Sequence, residues 1–170
     1  MRGKFLLAVL LAATMPAAAA PRANPFAVPS SLPFQAPRFD RIRDSDYAPA
    51  FEEGMRQQRA EMAAIAANPA PPSFGNTIAA MEKSGRMLER VSLAFFGVVQ
   101  ADTDPVLDKV QSVDAPKLAA HQDAIYLDPR LFARIKALYD RRAALALTGE
   151  QAQLLKLYYM QFVHAGANLE

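Results

Sequence analysis

The stretch APKLAAHQDAIYLDPRLFARIKALY, Ala115 to Tyr139, decides the fold. Leu118 to Ile125 reads as helix, and Asp128 followed by Pro129 is an N-cap with proline at the first helical position. Leu131, Phe132, Ile135, Leu138 and Tyr139 then recur at three- and four-residue steps, the spacing of one helical face. A helix, a break and a second helix leave no room for the alternating Val/Ile/Thr runs of strands. The composition agrees: 7 glycines are few for an all-β chain with many tight turns, alanine supplies much of the 52% apolar fraction, and tryptophan is absent. The expected fold is all-α, with about five amphipathic helices preceded by an extended Pro-rich arm. At 170 residues, the chain has the length of about one domain.

On the N-terminal side, Arg2 and Lys4, an apolar run from Phe5 to Met15, and the small residues Ala17 to Ala20 make a secretory signal peptide. The expected leader is 1–19, cut after Ala19, which leaves no stable membrane anchor and implies an exported, periplasmic product of a Gram-negative cell. Losing Arg2 and Lys4 leaves 17 basic and 17 acidic residues. A neutral chain lacks the basic face that phosphate neutralisation demands, so nucleic acid is not an expected partner. The absence of cysteine excludes disulfides, thiolate metal sites and cysteine catalysis.

Residues 20–43 form the arm. Prolines at 21, 25, 29, 33 and 37 deny a helix its donors and hold the preceding residues extended. Phe26, Val28, Leu32, Phe34 and Phe39 are costly to leave in water, so the arm is expected to be strapped along a folded body.

Residues 44–165 form the helical region. The first helix is expected over Asp46–Ala67, with Tyr47, Phe51, Met55, Met62 and Ile65 inward. The second runs from Asn76 or Thr77 to Gln100, interrupted at Ser84 and Gly85, where glycine is either a close-packing point or a bend. The third starts at Asp104-Pro105 and is expected to kink or break near Ser112 to Ala115, ahead of Pro116. The fourth starts at Pro129. Thr148 and Gln151 form a T-x-x-Q capping box for the fifth, which Gly166 closes. Residues 166–170 read as the start of a further element.

Chemistry is sparse. His121 and His164 do not form the H-E-x-x-H pair that sets two imidazoles on one helical face toward zinc. His121 with Asp123 is too common a pair to mark a dyad, and Asp102 and Asp104 sit where helix caps need acids. No G-x-S-x-G, P-loop or G-x-G-x-x-G occurs. No catalytic, cofactor-binding or metal residue is assigned.

Three segments carry a resemblance: NPFAVPSSLPFQAPRFDRIRDSDYAPAFEEGM (Asn24–Met55), SFGNTIAAMEKSG (Ser73–Gly85) and APKLAAHQDAIYLDPRLFARIKALYD (Ala115–Asp140). In this order they resemble the N-terminal part of bacterial peptidyl-dipeptidases, or dipeptidyl carboxypeptidases, zinc metallopeptidases related to oligopeptidase A, thimet oligopeptidase and neurolysin. The resemblance implies a longer, mostly helical hydrolase that removes C-terminal dipeptides from oligopeptides entering a deep channel. Its zinc is held by two histidines of an H-E-x-x-H helix and a downstream glutamate, and the motif glutamate acts on the zinc-bound water. None of those positions is in this chain, so the resemblance implies a fragment without activity or zinc of its own. A free-standing helical module that binds peptides or proteins without catalysis is the alternative.

Overall fold

The computed structural model describes residues 22–168. The expected leader 1–19 lies outside them, as do the last two residues of the expected further element. Among the described residues there are six α-helices and no strand: α1 (Tyr47–Ala66), α2 (Ile78–Glu82), α3 (Arg86–Ala101), α4 (Pro105–Tyr126), α5 (Pro129–Asp140) and α6 (Gly149–Ala165). Three starts follow the sequence signals closely. Asp104 Oδ1 accepts from the amides of Val106 and Leu107 at 2.7 and 2.9 Å, and Asp128 Oδ1 accepts from those of Arg130 and Leu131 at 2.8 and 3.2 Å. Thr148 and Gln151 close a reciprocal capping box.

Two expectations are revised. The anticipated second helix is divided into α2 and α3, because Gly85 takes a left-handed conformation (φ 69°) as the N-cap of α3. A Cβ there would also lie 2.4 Å from the Gln58 side chain, so Gly85 is both the bend and a close-packing point. Of the kink or break expected near Ser112 to Ala115, the break does not occur, and α4 runs through the proline. Leu107 and Asp114 before it, and His121 and Ile125 after it, are buried along one face. Packing on both sides offsets the roughly 3 kcal/mol that an interior proline costs.

The body has two cores strung along α1. The first joins Phe26, Tyr47, Ala50, Phe51 and Met55 to Met87, Val91, Ala94 and Phe95 of α3 and Leu107 of α4. Its rings meet edge-on, with Tyr47 to Phe95 at 5.1 Å and Phe51 to Phe95 at 5.2 Å between centroids. Close approach depends on Gly54, where a Cβ would sit 2.9 Å from the backbone N and Cα of Leu88. The second core joins Met62 and Ile65, at the other end of α1, to Ile78, Met81, Ile125, the inner face of α5, and Leu155 and Phe162 of α6.

The arm does not lie flat on this body. It contains short 3-10 turns at Pro25–Ala27 and Pro33–Gln35 and contributes Phe26 alone among its aromatic residues to a core. Proline explains the turns: it presets φ for a tight turn as well as for an extended chain.

Candidate functional site

A cleft of about 340 Å3 opens between the two cores, lined among others by Gln58, Met62, Met81, Leu88, His121 and Tyr158. Its polar elements come from α1, α3, α4 and α6. His121 of α4 is 6% exposed and lies against α1, with Nε2 at 2.7 Å from Gln58 Oε1 and Nδ1 at 3.4 Å from an Arg59 guanidinium nitrogen. A guanidinium only donates, so Nδ1 accepts and Nε2 carries the proton that it donates to Gln58. The ring is therefore neutral. Burial, and secondly the Arg59 charge, hold its pKa below the ordinary histidine range.

Across the cleft Tyr158 of α6 donates to Glu82 Oε1 at 2.6 Å. Burial, followed by that hydrogen bond, pushes the phenol well above its usual range, so it stays protonated. Both imidazole nitrogens are thus engaged, and the phenol is committed to Glu82. The geometry of the cleft is that of a polar joint between two apolar cores.

The other residues weighed from sequence are dispersed. Asp104 is a helix cap, Asp102 follows the end of α3, and Asp123 is exposed while His121 turns to Gln58 and Arg59 instead. His164 is exposed in the last turn of α6. Among the described residues no three His, Asp or Glu side chains converge on a point where a metal ion could sit. The donor set of the described residues does not fit zinc.

Two buried charges were not legible. Arg134 of α5, 7% exposed, donates to the carbonyls of Asn68 and Ala70 at 2.8 and 3.3 Å and to Asn76 Oδ1 at 2.9 Å, clamping the connection between α1 and α2. On an amphipathic helix an arginine reads as solvent-facing, so its pattern carried no signal. Asp114 of α4 is 1% exposed, and Lys117 Nζ lies 2.9 Å from Oδ1. The pair is close enough for charge attraction, yet neither carboxylate oxygen has an aligned hydrogen-bond donor.

No family model matches the chain. Over 146 residues, 86% of this chain, it is 47% identical to the dipeptidyl carboxypeptidase of Escherichia coli (strain K12), and covers 21% of that enzyme. This chain is homologous to dipeptidyl carboxypeptidase. The dipeptidyl carboxypeptidase of Salmonella typhimurium (strain LT2) is 45% identical over 146 residues, of which the match covers 22%. The chain thus spans about a fifth of the length of these dipeptidyl carboxypeptidases.

Proposed function

We propose that this chain is the N-terminal helical part of an exported zinc metallopeptidase that removes C-terminal dipeptides from oligopeptides. The observation that carries the reading is the 47% identity across 86% of the chain to an enzyme named for that activity. In this reading the helices are scaffold, while zinc, its ligands and the oligopeptide substrate belong to the other four-fifths of the enzyme. The engaged nitrogens of His121 and the scattered acids support a scaffold role, because general-base work needs a free acceptor within reach of substrate. Export rests on the leader, Arg2 and Lys4 followed by the apolar run to Met15.

The test is a chimera: the matching 146 residues of the E. coli enzyme are replaced by those of this chain. Release of C-terminal dipeptides from a blocked oligopeptide, followed by mass spectrometry, is expected from the chimera and not from the 170-residue chain alone. An inactive chimera that nevertheless expresses and folds sinks the reading, as does dipeptide release by the isolated chain. Export is checked separately by N-terminal sequencing of the periplasmic product, expected to begin at Ala20.

A further inference from the structure

The arm carries a loop whose composition and conformation are ill suited to an isolated chain. Both flanks of the loop are pinned. On one side Phe26 is buried, its carbonyl accepts from Arg90 at 2.9 Å, Asn24 donates to the Asp46 carbonyl at 2.8 Å, and Arg22 pairs with the Asp46 carboxylate at 2.7 Å. On the other side Ile42 packs on the first core, and the Arg41 carbonyl accepts from Arg22 at 2.9 Å. Between these anchors Val28, Leu32, Phe34 and Phe39 are 68%, 38%, 104% and 55% exposed. Phe34 and Gln35 both sit at φ 56°, in the left-handed region that residues with a Cβ avoid. An exposed phenylalanine in a strained turn gains nothing from the chain that holds it. Strain of this kind persists where it serves a contact.

We propose that this loop is a plug, with Phe34 at its tip, that seats in an apolar recess on the remaining part of the longer peptidase. The proposal rests on the reading given under Proposed function. Three observations select that occupant. The relatives are nearly five times longer than the matched segment, so most of the enzyme's surface lies outside this chain. The two anchors give the loop a short, fixed reach, which suits a neighbour held in one place. Residues 28–37, VPSSLPFQAP, contain no charge, and Arg38 and Asp40 just beyond pair with each other at 2.7 Å. Charge depletion marks the centre of permanent interfaces, whereas anionic lipid and nucleic acid are recognised through basic residues.

Phe34→Asn tests this in two settings, because asparagine tolerates the left-handed conformation and removes the ring. In the 170-residue chain the melting temperature is expected to hold or to rise by about 2 °C as local strain is relieved. In the active chimera described above, the same change is expected to speed heat inactivation roughly tenfold, through loss of a buried aromatic contact. Phe34→Leu, which keeps an apolar tip, should restore most of the chimera's lifetime. An active chimera that inactivates at the parent rate with Phe34→Asn overturns the plug and leaves the peptidase reading standing. A parent chimera that folds but releases no dipeptide removes both. The plug is also overturned if Phe34→Asn lowers the melting temperature of the isolated chain as strongly as it shortens the chimera's lifetime. Two further results would reassign the loop: a Phe34-dependent dimer of the isolated chain in sedimentation, or Phe34-dependent binding to phosphatidylethanolamine–phosphatidylglycerol vesicles.

Discussion

The two cores share α1 but are built differently. The first gathers side chains from the arm, α1, α3 and α4, and its centre is a set of edge-on rings around Phe95. The second takes its largest share from the α5–α6 hairpin, joined by residues of α1, α2 and α4, and most of its ring pairs are stacked: Tyr139 and Tyr159 lie 3.9 Å apart at 2°. Between them lies the polar joint of Gln58, Arg59 and His121. An aromatic centre fed from distant segments depends on the approach of whole helices, hence on Gly54. A core built from a helical hairpin depends more on its caps and on the Arg134 clamp.

The contrast is open to attack, and the largest blow should fall on the first core. Phe95→Ala, at a site 1% exposed, is expected to cost about 3–5 kcal/mol. Of the 5 tyrosines only Tyr47 belongs to the first core, while Tyr126, Tyr139, Tyr158 and Tyr159 pack on the second. Near-ultraviolet circular dichroism therefore follows the second core. If that signal and far-ultraviolet helicity lose their coincidence in urea, the cores unfold separately; coincidence makes them one cooperative unit.

Next in size, Arg134→Met keeps the buried stem but removes donors from two carbonyls and an amide oxygen. A loss of about 2 kcal/mol is expected, read as a lower urea midpoint at unchanged slope. A neutral result would show that the second core does not need its clamp. Gly85→Ala should cost about 1–2 kcal/mol, because alanine is strained at φ 69° and its Cβ meets Gln58. Displacing Gln58 would also disturb His121, coupling both cores through one residue; a double-mutant cycle with Gln58→Ala measures that coupling.

The smallest effect concerns pH. The folded-state pKa of His121 is depressed, so its neutral form contributes stability that is complete above the ordinary value of 6.5 and is lost as pH falls through the lower folded value. His121→Gln should flatten the melting temperature between pH 7 and about 5. An unchanged slope would mean that the joint does not report protonation.

Much of this architecture was legible because helix starts are chemically local. Asp104-Pro105, Asp128-Pro129 and Thr148-x-x-Gln151 each satisfy their own amides, and the structure uses all three. Pro116 misled because its local cost is real and was outweighed by burial of residues on both sides of it. Gly85 was legible as a special position, but the choice between bend and contact needed Gln58, which lies far away in sequence. Arg134, Asp114 and the split of the arm into one buried and several exposed aromatic residues depend on tertiary placement, for which no periodicity exists. The absence of a catalytic constellation in the pattern and the resemblance to one part of a longer enzyme came from the same residues. The three quoted segments fall mainly on the arm with α1, the turn into α2, and the α4–α5 corner.

The placement of α1 also sets an order in time. Every residue of the first core lies between Phe26 and Leu107, whereas the second waits for Leu155 and Phe162. A chain that emerges N-terminus first can close its aromatic half while Met62, Ile65, Ile78 and Met81 still face water. At roughly 5–20 residues per second, synthesis leaves that half-covered helix bare for several seconds. During that interval the face of α1 that carries Met62 and Ile65 lacks the partners that Leu155 and Phe162 supply.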